Sequence, residues 1–246
     1  SICRFCLHDR KLCKSHIVPE FLYSPLYDSD REMMAITGRG RQGWKPLNKG
    51  IWEHLLCSDC EQYLNREYEQ PFQDQWAGDD ALPRQMTKDD VHTATFSYVS
   101  FKLFHLSILF RASVSSNPMF QAIRLGMHED RIRKMLLGKM LDIMGYSIFV
   151  FAVINSHNQV ERRVISQPIA ARFDGHRVYG QIYGGAMWWI SASSHANLTF
   201  CQGGLQKSGE ITFLAEPWNE IGVMQDASVA LNAPRRDAFP MRPKPG

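Results

Sequence analysis

The chain has 246 residues, 44% of them hydrophobic, and a formal net charge of +3 at pH 7. A chain of this length can bury a sizeable core, and we expect two lobes. The small net charge does not by itself indicate a nucleic-acid-binding protein. The sequence has no apolar run long enough to cross a bilayer and no GxGxxG or P-loop motif, so we expect a soluble protein with no membrane partner and no nucleotide cofactor.

Four of the six cysteines form two CxxC pairs, Cys3 with Cys6 and Cys57 with Cys60. Two such pairs predict one structural Zn²⁺ held by four thiolates, a closed site that stabilises a domain with a small core. The alternative is four buried free thiols, which would leave the CxxC spacing unexplained. Because metal-binding thiols must stay reduced, we expect a cytoplasmic protein.

Short elements are predicted between the two cysteine pairs. A residue near a proline favours extended geometry, so His16 in the segment Ser15-His16-Ile17-Val18-Pro19 is expected at the end of a strand. A helical turn is predicted at Glu20–Leu26 and a short strand at Met33–Ile36.

The segment Gly38–Gly50, here called the basic loop, is expected to be a mobile loop. Basic and aromatic side chains together can hold phosphates and stack a base, which makes the loop a candidate nucleic-acid-binding segment. A solvated surface loop is the alternative. The candidate binding residues are Arg39, Arg41, Trp44, Lys45 and Lys49.

A helix is predicted after Cys57, because Leu64, Tyr68 and Phe72 recur at a spacing of four. Glu61, Asn65 and Glu69 share a second stripe of the same helix. Residues 74–90 contain five aspartates and form the candidate domain boundary.

Residues 92–116 predict a helix that is apolar nearly all round and therefore central in a core. Arg111 on this helix must reach a carboxylate, a carbonyl or a phosphate, because a buried unpaired guanidinium is costly. A second helix is predicted at Met127–Leu141. The later segments predict strands, punctuated by glycine turns, in an antiparallel meander: 146–154, 164–173, 178–190, 197–200 and 210–214.

The two CxxC pairs, the His16-Ile17-Val18-Pro19 segment and the Leu55–Cys60 segment together resemble the zinc-stapled form of the HNH, or ββα-metal, endonuclease family. In that family a histidine on a strand is the general base that activates water against a phosphodiester, and a divalent ion supports the negative charge. The resemblance implies that His16 is the base, that Mg²⁺ or Mn²⁺ is the catalytic cofactor, and that DNA is the substrate.

Three positions depart from the family pattern. Ser15 stands where an acidic ligand is common. Where an asparagine is common, this chain has Trp52, Glu53 and His54. Glu61, which follows Cys60, stands in place of a histidine. A carboxylate suits Mg²⁺ or Mn²⁺, so Glu61 is a candidate catalytic residue and metal ligand, together with Glu53 or His54. The alternative is a degenerate site.

Residues 11–21, 55–72, 106–113 and 125–129 are also similar to a group of bacterial proteins of unassigned function. This similarity suggests a bacterial or phage source and a role in phage defence or in genome maintenance. Two other functions remain open: a catalytically inactive zinc-containing nucleic-acid-binding protein, and a protein-interaction module. In the second case the partner would bind the C-terminal sheet near Trp188 and Trp189, only one of which can face the core.

We therefore expect an α+β fold with an N-terminal zinc-bound HNH-like ββα module, two bridging helices and a C-terminal antiparallel sheet. The expected division is a module at residues 1–73, an acidic linker at 74–90, a domain of helices and then strands at 91–231, and an irregular Pro/Arg-rich tail at 232–246.

Overall fold

The computed structural model describes residues 1–27, 33–35, 45–47, 50–139, 145–193 and 203–222, with the backbone alone for 33–35 and 45–47. These residues form a mixed α+β fold, which confirms the predicted fold class. They comprise a two-stranded ribbon, a second short strand pair, a helical run, two longer helices and a six-stranded sheet.

The ribbon pairs strand β1 (Leu12–His16) antiparallel with strand β4 (Trp52–Cys57). His16 lies opposite Trp52, at the end of β1, so the predicted position of His16 on a strand end is confirmed. A 3₁₀ helix follows at Glu20–Leu26, where the sequence predicted a helical turn. The chain after β4 passes directly into a helix, and Leu55, Leu56 and Cys57 at the end of the strand are buried.

Strands β2 (Met33–Ala35) and β3 (Lys45–Leu47) form a separate antiparallel pair. The strand predicted at Met33–Ile36 is therefore present over Met33–Ala35, and Ile36 lies outside the described residues. The prediction that Gly38–Gly50 is all loop was wrong for residues 45–47, since their backbone pairs with β2. Cross-strand hydrogen bonds decide this, and the composition of the segment does not reveal them.

The helical run after β4 consists of α1 (Ser58–Leu64), a π-helical turn (Asn65–Glu69) and α2 (Gln70–Trp76). Leu64, Tyr68 and Phe72 are buried along it, as their spacing predicted. A π-helical turn inside a helix is uncommon and often occurs at functional sites. Four of its five residues are polar or charged, and two of them, Asn65 and Glu69, line the polar cleft described below.

Helix α3 (Tyr98–Val114) forms the centre of the core, and every residue from Phe101 to Ala112 is buried. Phe104 stacks on Phe72 with 3.7 Å between the ring centroids, which joins α3 to the helical run. The prediction that the helix begins near His92 was wrong. Residues 91–95 form strand β5 (Val91–Thr95), because they pair with a strand from the end of the chain. Helix α4 (Met127–Gly138) follows α3.

Besides β5, the large sheet contains β6 (Ile148–Ile154), β7 (Ile169–Phe173), β8 (His176–Tyr183), β9 (Ala186–Ser191) and β10 (Glu210–Pro217). Its strand order is β5-β10-β6-β9-β8-β7. The prediction of a purely antiparallel sheet was wrong, because β10 pairs parallel with β6 while the other neighbours are antiparallel. The strand predicted at 197–200 and the tail at 232–246 lie outside the described residues.

The segment predicted as a strand at 178–190 is a hairpin that turns at Gly184-Gly185, where both residues have positive φ of 65° and 92°. Two successive positive φ angles are the requirement of a tight β-hairpin turn. Trp188 on β9 is 1% exposed in the core, whereas Trp189 is half-buried on the opposite face and stacks on Phe149. Strand alternation predicted this difference.

One hydrophobic cluster contains core residues from the N-terminus to the last strand, from Phe5 through Trp76 to Phe213. Within the segment 74–90, Trp76, Leu82 and Met86 are buried in this cluster. The N-terminal elements therefore share their packing with α3 and the sheet.

Candidate metal centre and polar cleft

The four cysteines Cys3, Cys6, Cys57 and Cys60 come together at the N-terminal end of α1. Their Sγ atoms all lie within 4.8 Å of one another, and Sγ of Cys6 is 4.0 Å from Sγ of Cys57. Tetrahedral zinc with Zn–S bonds of about 2.3 Å requires sulfur atoms roughly 3.8 Å apart. The cluster can therefore bind a metal ion such as zinc.

Local backbone bonds build each half of the cluster. The first pair lies in a tight turn in which the Cys3 N–H donates to the His8 carbonyl and the Leu7 N–H donates to the Cys3 carbonyl. The second pair spans the junction of β4 and α1. The Cys57 N–H donates to Sγ of Cys3 at 3.3 Å, which joins the two halves.

The thiols differ in how readily they lose a proton. Burial opposes ionisation of Cys3, but N–H groups of Cys6, Cys57 and Phe5 outweigh it and lower the pKa of Cys3 to about 7. Burial raises the pKa of Cys60, and hydrogen bonding to Cys57 and the charge of Cys3 raise it further. A bound cation would supply the positive charge that lets all four sulfurs ionise together.

Immediately beside this cluster is a cleft of about 230 Å³ lined by polar and charged side chains alone. We call it the polar cleft. Its lining residues lie at the end of β1, at the start of the 3₁₀ helix, on the helical run and on α3. The lining residues are His16, Glu20, Glu61, Gln62, Asn65, Glu69 and Arg111.

The structure thus places His16 and Glu61, the two candidate catalytic residues, in one cleft. His16 is partly buried, and its Nε2 lies 2.7 Å from Oε2 of Glu20. The second oxygen of Glu20 accepts a hydrogen bond from the hydroxyl of Tyr27 at 2.6 Å. The Glu20 carboxylate is therefore held between a tyrosine and the histidine.

Glu61 follows Cys60 directly and turns into the cleft. Its Oε1 atom is buried and has no hydrogen-bond partner in the described part of the chain. Burial raises the pKa of the Glu61 carboxyl above its ordinary value, and the charge of Glu69 adds to this, whereas Arg111 and a hydrogen bond from Ser15 oppose it. A buried carboxylate oxygen without a donor is a favourable position for a cation or a proton.

Arg111 is the one arginine of the cleft lining and is 1% exposed. Its Nη1 donates to the His16 carbonyl at 2.8 Å, and its Nη2 lies 2.7 Å from Oε1 of Glu69. The sequence required a partner for this buried guanidinium, and the structure supplies both a carbonyl and a carboxylate.

Glu53 and His54 lie outside the cleft lining. Glu53 accepts hydrogen bonds from the hydroxyls of Ser115 and Ser116 and from the Ser116 N–H. Burial works against its ionised form, but these donors and the Asn117 N–H lower its pKa. His54 is exposed on the ribbon, with its ring perpendicular to that of Trp52 and 5.5 Å between the ring centroids.

Of the basic-loop residues, Lys45 begins strand β3, whereas Arg39, Arg41, Trp44 and Lys49 lie outside the described residues. Their contact with nucleic acid stays a prediction.

Five cleft residues were not among the sequence candidates: Glu20, Gln62, Asn65, Glu69 and Arg111. Asn65 and Glu69 were recognisable because they follow Glu61 at successive intervals of four residues, and Arg111 was recognisable by its charge in an apolar helix. Glu20 carried no comparable signal.

None of the helices in the described ranges has both the length and the apolar character needed to cross a membrane. Comparisons with protein-family models, with curated proteins and with solved structures found no match for this chain.

Proposed function

We propose that the protein is a metal-dependent endonuclease that hydrolyses DNA phosphodiester bonds in the polar cleft, with an HNH-like arrangement of two strands and a helix. The observation that carries the proposal is that His16 and Glu61 line one polar cleft beside the four-cysteine cluster. The two antiparallel strands β1 and β4 followed by α1 support the likeness to a ββα module.

In this proposal His16 acts as the general base. It accepts a proton from water while the water oxygen forms a bond to phosphorus, and the bond from phosphorus to the leaving ester oxygen breaks. Glu20, in contact with His16, stabilises the imidazolium that results. The leaving oxygen takes its proton from solvent.

The chain offers carboxylates for a catalytic cation. Mg²⁺ is commonly held by one or two carboxylates, with water and substrate phosphate as its other ligands. Glu61 fits this role through its buried oxygen without a donor, and Glu69 and Asn65 lie on the same stripe of the helical run. When bound, Mg²⁺ or Mn²⁺ would neutralise charge on the phosphate and on the leaving oxygen.

The experiment is nicking of supercoiled plasmid DNA with Mg²⁺ or Mn²⁺. His16→Ala and Glu61→Gln should each lower the rate by about 100-fold or more, the usual contribution of a general base or a metal ligand. His54→Ala is the matched control, because His54 is an exposed histidine on the same ribbon but outside the cleft. Zinc content and circular dichroism must be equal in all variants.

Absence of nicking by the native chain on both DNA and RNA would refute the catalytic proposal. Retention of DNA that weakens with added salt would then indicate the inactive nucleic-acid-binding alternative. Absence of binding at low salt would leave the protein-interaction alternative.

A further inference from the structure

We propose that Arg111 is a positioning residue for His16, so that helix α3 completes the site begun by the N-terminal elements around the four-cysteine cluster. The inference rests on the function proposed above for the cleft, and it extends that function to a residue beyond the HNH-like segment at 1–73.

Arg111 contacts two residues of the cleft lining, His16 and Glu69. One end of the guanidinium donates to the backbone carbonyl of His16 at 2.8 Å, where β1 ends. The other end lies 2.7 Å from Glu69 on the π-helical turn. Arg111 therefore connects His16 with Glu69, which come from segments far apart in the chain.

The planar guanidinium is suited to this task, because its donors have fixed directions and can serve two acceptors at once. A lysine in the same place would offer a single nitrogen on a flexible stem in place of two Nη atoms held in one plane, so it would fix the positions of the two acceptors less well. The carbonyl that Arg111 holds belongs to His16 itself, so movement at this contact would move the imidazole directly.

Stability alone explains the arrangement poorly. Buried ion pairs contribute little net stability, because both charges must lose their hydration, and apolar residues of similar size often replace them without loss. Arg111 is 1% exposed and Glu69 is 14% exposed, so the cost of dehydration is large. Its two strong acceptors both belong to residues that line the cleft.

The same helix supplies a matched control. Lys102 is also a buried cation, 5% exposed, and it donates to the Tyr98 hydroxyl and the Gly145 carbonyl. It lies outside the cleft lining. Lys102→Met therefore removes a buried positive charge from α3 without touching the contact to His16.

The test compares Arg111→Met, Arg111→Lys and Glu69→Gln with Lys102→Met in the full chain loaded with zinc. Two readouts are used: the ¹³C–¹H NMR signals of the His16 ring, identified with His16→Ala, and the kcat and KM of plasmid nicking. We expect Arg111→Met to displace or broaden the His16 signals and to lower kcat about 10- to 100-fold with little change in KM, as a misplaced catalytic group does. Arg111→Lys should be intermediate, and Lys102→Met should change neither readout.

Unchanged His16 signals in folded Arg111→Met would overturn the positioning role. If Arg111→Met does not fold, unchanged signals in both Arg111→Lys and Glu69→Gln would overturn it equally. If the native chain has no nuclease activity, the NMR readout decides the positioning role by itself, so failure of the proposed function is seen separately. Equal effects of Lys102→Met and Arg111→Met would also overturn the inference, because they would show general destabilisation.

Discussion

The carboxylate of Glu20 lies 2.7 Å from Nε2 of His16, and Glu20 is the first residue of the 3₁₀ helix that follows the strand of the histidine. The chain bends after His16, and Pro19 is the residue immediately before the 3₁₀ helix. A carboxylate in this place both orients an imidazole and stabilises its protonated form.

Glu20→Gln should keep the size of the side chain and remove its charge. We expect nicking at neutral pH to fall by about 10- to 100-fold, because the imidazolium formed during proton transfer loses its counter-ion. Glu67→Gln is the control, since Glu67 is a charged residue of the helical run that lies outside the cleft. Equal rates for both variants would show that Glu20 does not assist His16.

Because the four-cysteine cluster can bind a metal ion, we expect the fold of the N-terminal elements to depend on bound metal. Cys60→Ser should lower the bound zinc from about one equivalent to near zero and expose the N-terminal elements to protease, because structural zinc binding is itself folding free energy. Cys13→Ser is the matched control. The Cys13 thiol donates to the Leu56 carbonyl, and Cys13 is not one of the cluster residues. Zinc content by mass spectrometry and limited proteolysis provide the measurements, and full zinc retention in Cys60→Ser would contradict the four-thiolate site.

The sequence was most informative where a local pattern determines the structure. The CxxC spacing brought four sulfurs together, the spacing of four placed Glu61, Asn65 and Glu69 on one stripe, and the proline placed His16 at a strand end. The stripe and the strand end rest on geometry within a few residues, which single-sequence reasoning can follow. The cluster joins pairs 51 residues apart, and it was predicted from the type and number of its ligands.

The sequence was least informative where distant segments meet. The contact from Arg111 to His16 and the parallel pairing of β6 with β10 depend on tertiary packing, and no local pattern specifies them. Strand β5 illustrates the same limit, because its residues were predicted as the start of a helix and pair instead with β10. Tertiary context overrides local preference in such places.

Glu53 allows a test that separates a structural carboxylate from a metal ligand. Its folded-state pKa is lowered below the ordinary value of 4.5, although burial works in the other direction, because the donors from Ser115, Ser116 and Asn117 favour the charged form. A lowered folded pKa contributes stability above the unfolded pKa, and this stability is lost as pH falls through the folded pKa. Glu53→Gln should therefore lower the free energy of unfolding by about 1 kcal/mol at pH 7, after allowance for partial exposure.

The difference in unfolding free energy between Glu53→Gln and the native chain should shrink as the pH falls below 4.5. Urea unfolding at a series of pH values measures it. A constant difference at all pH values would contradict the hydrogen bonds to Glu53. Because Glu53 lies outside the cleft, nicking by the variant should keep the native dependence on Mg²⁺ concentration, and a weaker response to Mg²⁺ would instead identify Glu53 as a metal ligand.

Gly209 tests the junction between β10 and the segment that leads into α3. Its φ is +89°, and a Cβ atom there would lie 1.9 Å from the Phe96 carbonyl oxygen, a backbone atom that cannot rotate away. The Phe96 N–H donates to the Gly209 carbonyl at 2.9 Å, so separating the two segments to relieve the clash would break this bond. Gly209→Ala should therefore lower the free energy of unfolding by about 3 kcal/mol or more, through backbone strain and the lost contact.

Gly203→Ala is the matched control, because no atom lies within 4 Å of the added Cβ. Its effect should stay within about 0.5 kcal/mol, as for most surface substitutions. Because Phe96 stacks on Phe101 at the start of α3, with 4.2 Å between ring centroids, strain at Gly209 should also reach the helix that carries Arg111. Thermal unfolding of both variants measures the loss of stability. The His16 NMR signals measure whether the strain reaches helix α3. An equally mild result for Gly209→Ala and Gly203→Ala would mean that β10 does not pack closely against the segment before α3.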